Sequence, residues 1–497
     1  MQRVIIIIVV VVLGVIAGFG IVFVGYTPGQ TAKDSSEILA GVSEEDKLAL
    51  CGDGIVKSNE YIKEYLIPTY CSASVGIVVD RDGKVWFAET LTGKLGIFDP
   101  DTERFQEIKI PDWKTRNRGF GSMVWGMKFD PGGNLWFTDE IGNAIRKYDT
   151  KSGKFEIYKI PTKGSYPVQV AFDAAGNVWF AEIFGKKIGK IDPELAKDGT
   201  SEGIIEFAPD ATGLETMGQL IVDHEGSIWF TMLDYPTIGK LFKYDPELNK
   251  FTTYVLPNGT ASPVGIVEDN SGNLWINDHG TNLFFKFDTQ SQKITKYSTS
   301  LPQTNHVVSL PYWNVIDDKG RIWFNLHQGN AIAVFDPTQE TLIEYDIAKG
   351  QKMWGYTTNP LQFALAPDGK VWFTQWTENK IAVLDPTLPI PLLISTDDRS
   401  IELKPNTTST ITIQVKSDER TYSPVRMNVS GTFIISGKLW NIDVNFSSTE
   451  LQFDEPSTKT VALSLTPRGD LPEGDHTIMI GARYDGITYS TTVRVKV

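Results

Sequence analysis

GKVWFAE (83–89), GNLWFTDE (133–140), GNVWFAE (176–182), GSIWFTM (226–232), GNLWINDH (272–279), GRIWFNLH (320–327) and GKVWFTQW (369–376) are one phrase stated seven times. Each carries a glycine, an aliphatic residue and a tryptophan in fixed register. Trp86, Trp136, Trp179, Trp229, Trp275, Trp323 and Trp372 follow one another at intervals of 50, 43, 50, 46, 48 and 49 residues. Such a period marks a repeat architecture, in which each unit is one supersecondary element.

The flanks repeat as well. A short apolar run ending in an acid, such as VGIVVD (75–80) or VQVAFD (168–173), comes before a glycine-containing turn and the phrase. A third run such as AIRKYD (144–149) and a fourth such as FEIYKIP (155–161) complete the unit. Four short strands separated by Gly, Asp, Asn and Pro read as an antiparallel meander. One such sheet cannot bury both of its apolar faces, but seven stacked radially bury each against the next, so the chain is read as all-β with a seven-bladed β-propeller. The seventh unit stops after three strands at Asp385-Pro386, while YIKEYLIP (61–68) stands unattached ahead of the first. Pairing these two would close the ring and remove its free edges.

The sequence outside the repeats divides into three further parts. Val4 to Gly25 is an uncharged apolar run of 22 residues, long enough to cross a bilayer core of about 30 Å. Residues 1–26 therefore read as an N-terminal transmembrane helix with its N-terminus inside, a cleaved signal peptide being the alternative. Residues 27–60 are polar and acidic and read as a juxtamembrane spacer, the propeller occupies 61–386, and 387–497 changes vocabulary. There, runs such as STITIQVKS (409–417) and KTVALSLTP (459–467) alternate as in an immunoglobulin-like β-sandwich, a spacer or adhesion module. This places a single-pass protein in the cell membrane with its body on the extracytoplasmic side. Sequons at Asn258, Asn406, Asn428 and Asn445 fit an exported glycoprotein. Cys51 and Cys71, the only cysteines, are expected to form a disulfide in an oxidising compartment, two free thiols being the alternative. A net charge of −14 excludes a nucleic-acid partner and leaves the membrane and a small-molecule, glycan or protein ligand.

Strand alternation sorts the loops by face. The loop leading into each first strand and the loop leaving each second strand share one face, the mouth, and vary in content; the opposite turns, such as DPGGN (130–134), are stereotyped. Function is expected at the mouth. His279 and His327 stand four residues after their tryptophans and His306 lies in the loop leading into sheet six. These three are the candidate catalytic residues, and with Asp278 a candidate set for a transition metal. Glu89, Asp139, Glu140, Glu182, Asp278, Trp354, Gln375 and Trp376 are the candidate ligand-binding residues, offering carboxylates and stacking surfaces.

GNVWFAE with KKIGKID (186–192), GSIWFT with TIGKLFKYD (237–245), and SPVGI (262–266) resemble the virginiamycin B lyase (streptogramin lyase) family, and the resemblance spans 61–386. It implies a seven-bladed propeller and an elimination that opens a cyclic depsipeptide. In that chemistry a histidine base removes a proton beside the ester carbonyl, and a magnesium ion held by glutamates steadies the enolate. In those lyases the functional histidines follow the proline that opens a first strand. Here the residues after Pro167, Pro263, Pro311 and Pro360 are Val168, Val264, Tyr312 and Leu361, so the fold carries over and the catalytic residues do not. The leading expectation is a membrane-anchored, lyase-like propeller that binds a ligand at its mouth. A metal-assisted lyase or hydrolase acting on a cyclic ester, and a structural envelope protein, are the alternatives.

Overall fold

The computed structural model describes residues 30–31, 39, 41–115, 123–210, 216–233, 239–257, 259–421, 424–435, 438–439 and 441–497. The transmembrane helix expected at 1–26 lies outside them, as does Asn258; among the described residues no helix is long and apolar enough to cross a membrane.

Each repeated phrase folds for a local reason. Its opening glycine, from Gly83 to Gly369, sits at φ between 76 and 88° in the turn after the first strand, where a Cβ would be strained. In six of the seven units the acid that ends the first strand caps this turn with one oxygen and takes the tryptophan indole N–H with the other. Asp173, for example, accepts from Ala175 N at 3.0 Å, from Asn177 N at 2.9 Å and from Trp179 Nε1 at 2.9 Å. Ala366 holds that place in the seventh unit.

The strands assemble as antiparallel groups of four. Groups one to six occupy 74–109, 127–159, 167–207, 216–255, 263–298 and 311–346. In the seventh, Phe363–Leu365, Val371–Gln375 and Lys380–Leu384 are joined by Ile62–Leu66, with Ile62 opposite Leu384 and Leu66 opposite Lys380. The innermost strand of each group touches that of the next, and the seventh touches the first, which makes the array a β-propeller. Tryptophans carry the contact between sheets. Trp179 lies 6.1 Å from Tyr244, Trp229 6.1 Å from Phe287, Trp275 5.5 Å from Phe335, and Trp372 closes the circle 5.4 Å from Phe98. Burying such rings between neighbours is what holds the sheets together.

Beyond the propeller, Leu392–Thr396, Ser409–Ser417, Thr458–Pro467 and Ile442–Phe446 form one sheet. Ile487–Lys496, His476–Tyr484, Val425–Gly431 and Glu450–Leu451 form a second, and alternating residues such as Ile411, Ile413, Val461, Leu463, Ile478 and Ile480 fill the core between them. The second sheet continues into the propeller, because Thr341–Asp346, the outer strand of group six, pairs with Ile487–Lys496 from Tyr345 opposite Ile487 to Thr341 opposite Thr491.

The spacer expected at 27–60 is not a free tether where it is described. Ser43 caps the helix Glu44–Cys51 by accepting from Asp46 N at 3.1 Å. Cys51 is bonded to Cys71. Leu39, Cys51 and Cys71 pack on Leu91, and Trp354 Nε1 donates to Ala49 O at 2.5 Å. Buried apolar contacts and a covalent bond thus lay this polar segment across the mouth face.

Candidate functional site

The axis of the propeller is closed by one side chain from each innermost strand or the residues leading into it: Val75, Trp125, Val168, Met217, Val264, Tyr312 and Leu361. All are buried, and the Trp125 and Tyr312 rings, from sheets two and six, meet edge to face at 6.5 Å. The innermost strands are bulged near these residues, as between Val168 and Ala171 and between Pro311 and Asn314. A bulge leaves backbone groups without ladder partners. The residue two places after the repeat tryptophan supplies them. Thr138 Oγ1 accepts from Trp125 N at 3.0 Å, Thr231 Oγ1 donates to Val264 O at 3.1 Å, Asn277 Nδ2 to Tyr312 O at 3.0 Å, and Thr374 Oγ1 to Val75 O at 2.9 Å.

Two of the three candidate histidines meet above this floor. His279 Nε2 and His327 Nδ1 are 3.0 Å apart with the rings nearly parallel, and His327 Nε2 lies 2.8 Å from Asn359 Oδ1. Asn359 Nδ2 donates to Thr377 Oγ1 at 3.2 Å, which leaves its carbonyl oxygen to accept from His327 Nε2–H. His327 Nδ1 is then the acceptor for His279 Nε2–H. Burial pushes the His327 pKa down to about 4, outweighing the Asn359 bond, which raises it. His327 is therefore neutral at pH 7. Tyr312 covers it, its ring 4.7 Å from that of His279.

His306 does not join them. Its Nε2 binds Trp354 O at 2.9 Å and ties together the loops leading into sheets six and seven. Asp278 is also engaged elsewhere, accepting from Ala261 N, Ser262 N and Thr281 Oγ1. The set His279, His306, His327 and Asp278 is thus not brought together. Among the described residues no group of three or more His, Cys, Asp or Glu is disposed to hold a metal. The donors present do not fit a magnesium or transition-metal site, and no chemistry is derived through one.

The candidate ligand-binding residues split by strand alternation. Those three places after the tryptophan point away from the axis, into their own sheets. Asp139 pairs with Arg146 at 2.6 Å, both buried, and Gln375 Nε2 donates to Glu64 Oε1 at 2.8 Å, beside Lys380. Glu89 and Glu182 are fully buried; each is pushed up to about 8, first by burial and then by the charge of Glu107 or Glu206. These acids, with Asp278, are turned into their sheets and are not brought together at the mouth. Residues four places after the tryptophan do face the axis: Ile183, Leu233 and Trp376 lie in the axial cluster beside His279, His327 and Glu140. Glu140 Oε2 accepts from Met123 N at 3.1 Å and Trp125 Nε1 at 3.3 Å. Trp354 stands 5.9 Å from Trp376 beneath the N-terminal helix. Sequence reasoning missed Asn359 and Thr377, which orient His327; an asparagine directly before the proline at Pro360 was the available signal.

Residues 54–198 and 194–387 match the virginiamycin B lyase family. A streptogramin B lyase of known structure superposes with a TM-score of 0.54 at 25% identity, covering 65% of this chain and 97% of that one. A virginiamycin B lyase from Staphylococcus aureus gives 0.53 at 21% identity, covering 65% and 98%. A catalytically inactive virginiamycin B lyase from the same organism, with quinupristin, gives the same values, and at that identity the likeness is one of fold. No curated protein sequence matches the chain.

Proposed function

The chain belongs to the virginiamycin B lyase family, and from that premise we propose that it is a membrane-held binding protein whose mouth takes an amphipathic cyclic peptide or ester without opening it. The observation that carries this reading is the apolar floor. Val168, Val264, Tyr312 and Leu361 occupy the places where the resemblance puts functional histidines, and they pack with Val75, Trp125 and Met217 into a sealed axis. Such a floor offers contact area and stacking but no base. Glu140 and the His279–His327 pair add a small polar group at one side, the pattern of a site that orients an otherwise apolar ligand.

The propeller of 61–386 serves as the binding unit and the immunoglobulin-like sandwich of 387–497 as a rigid spacer or adhesion module. Val4–Gly25 anchors the chain in the cell membrane, with the body outside. The Cys51–Cys71 bond suits an oxidising compartment, and Asn406 and Asn445 are exposed for glycosylation.

Quinupristin is the probe of choice. Added to the full chain it is expected to quench tryptophan fluorescence saturably while its chromatographic retention stays that of the intact ring. Tyr312→Ala and Trp125→Ala are expected to weaken binding about tenfold or more, about 1.4 kcal/mol each. No binding, or conversion to a linear product, overturns the reading. A second reading is favoured by one observation, the hydrogen-bonded chain Asn359–His327–His279, which fixes the orientation of a histidine as a general base requires. Ring opening lost in His279→Ala but kept in His306→Ala would establish that enzyme.

A further inference from the structure

We infer that the mouth of the propeller lies against the bilayer surface, so that whatever fills it arrives from the membrane and not from bulk solution. This rests on the reading of Val4–Gly25 as a membrane anchor and adds to it an orientation.

The first argument is the length of chain between anchor and body. Gln30–Thr31 pairs antiparallel with Lys114–Thr115, in the loop that leads from sheet one into sheet two on the mouth face. Gly25 and Gln30 are five residues apart, and five residues reach at most about 17 Å. Crossing one headgroup layer, about 6 Å of the difference between the whole bilayer and its hydrocarbon core, uses part of that reach. The loop at Lys114–Thr115 is thus held within roughly 10 Å of the lipid headgroups. Further along, and on the same face, Leu39 sits against Leu91, the helix Glu44–Cys51 lies over Trp354, and Cys51 is bonded to Cys71. The arm thus touches the loops of sheets seven, one and two, all on the mouth face.

The second argument is the surface itself. Leu48 (43% exposed), Tyr70 (50%), Phe184 (46%), Val307 (61%) and Met353 (57%) belong to the helix on the mouth face or to mouth loops of sheets one, three, six and seven. Lys114, Lys163, Lys349 and Lys352 are exposed among them, as are Glu44 and Glu45 of the helix. Apolar and aromatic side chains with lysine stems between them are what a headgroup layer accepts. The mixed charge fits a zwitterionic surface. The opposite face carries exposed Leu195 and Leu248, in the turns between third and fourth strands of sheets three and four.

Those two leucines make the test internally controlled. The chain has no free cysteine among the described residues, so single thiols at V307C, M353C, L195C and L248C can each carry the same fluorophore, at sites of similar exposure. The full-length protein is reconstituted in phosphatidylcholine nanodiscs containing headgroup-nitroxide lipid. The labels at 307 and 353 are expected to be quenched at least threefold more than those at 195 and 248. Equal quenching at the four sites, in protein that resists alkaline carbonate extraction from vesicles, overturns the orientation alone. Extraction of the protein by carbonate overturns the anchor and the orientation with it.

Discussion

Glu89 and Glu182 show what a single residue does when a repeat places a carboxyl where no water reaches. Each is raised from 4.5 to about 8 by burial and by the neighbouring Glu107 or Glu206, against the opposing pull of Lys94 or Lys187. The folded chain keeps protons that the unfolded chain releases above its ordinary carboxylate range. The stability these protons contribute is complete below pH 4.5 and is lost as the pH climbs through 8. The double variant Glu89→Gln, Glu182→Gln mimics the protonated state, so its melting temperature should fall less between pH 5 and pH 8 than that of the parent, by an amount worth about 1 kcal/mol or more per site. Parallel thermal melts across that range check it, and equal slopes would refute it. His327 runs the other way: its lowered pKa means that stability is full above 6.5 and is lost as the pH falls through about 4. The residue types of the site were legible in the sequence but their directions were not fully used. Glu182 and Ile183 are adjacent, yet alternation sends the first into its sheet and the second to the axis.

At the scale of elements, the strand Ile62–Leu66 bears the closure of the ring. Glu64 is its centre: buried, it accepts from Lys380 Nζ at 2.9 Å, Gln375 Nε2 at 2.8 Å and Lys57 N at 2.7 Å. Removing one partner of a buried pair strands the other charge, at a cost of about 3–5 kcal/mol, while replacing both with apolar groups costs far less. Glu64→Ala should therefore lower the urea midpoint sharply, and Glu64→Leu with Lys380→Met should recover most of the loss. A double variant as unstable as the single one would show that the pair contributes more than its own neutralisation. The repeated sheets were readable because every unit restates its acid, glycine and tryptophan, and each of these has a local job at a turn, as Asp173, Gly176 and Trp179 show. The path of residues 41–60 was readable at one point, the expected bond between Cys51 and Cys71, and not elsewhere. Its acidic sequence has no apolar period, and what places it is tertiary: a bond to Cys71, a hydrogen bond from Trp354, and Leu39 on Leu91.

For the molecule as a whole, the decisive feature is that propeller and sandwich share a strand pairing. Thr341–Asp346 would otherwise be an open edge, and Ile487–Lys496 covers it along five residue pairs. Arg483 bonds Asp346, Arg494 Nη2 meets Glu340 at 2.7 Å, Thr477 Oγ1 donates to Lys296 O at 2.9 Å, and Tyr61 OH reaches Pro389 O at 2.9 Å. Nothing in the alternating sequence of 487–496 distinguished this edge partner from a strand kept within the sandwich, since backbone pairing leaves no side-chain signature. A sandwich fastened along an outer edge leaves the mouth free and adds bulk to one side of the ring. It also makes the two units thermodynamically dependent. A chain ending at Pro386 loses the cover of that edge and exposes apolar side chains such as Ile343, a template for strand-to-strand association. Sedimentation should find this shortened chain self-associated at concentrations where the full chain is monodisperse, and Ile343→Lys, which puts a charge on the bared edge, should return it to monomer. A shortened chain that is monodisperse and melts at the parent temperature would mean that the shared sheet is only a point of attachment. Loss of monodispersity rescued by the lysine would instead make the sandwich part of the propeller's own fold, which explains why the two are joined by a strand and not by a linker.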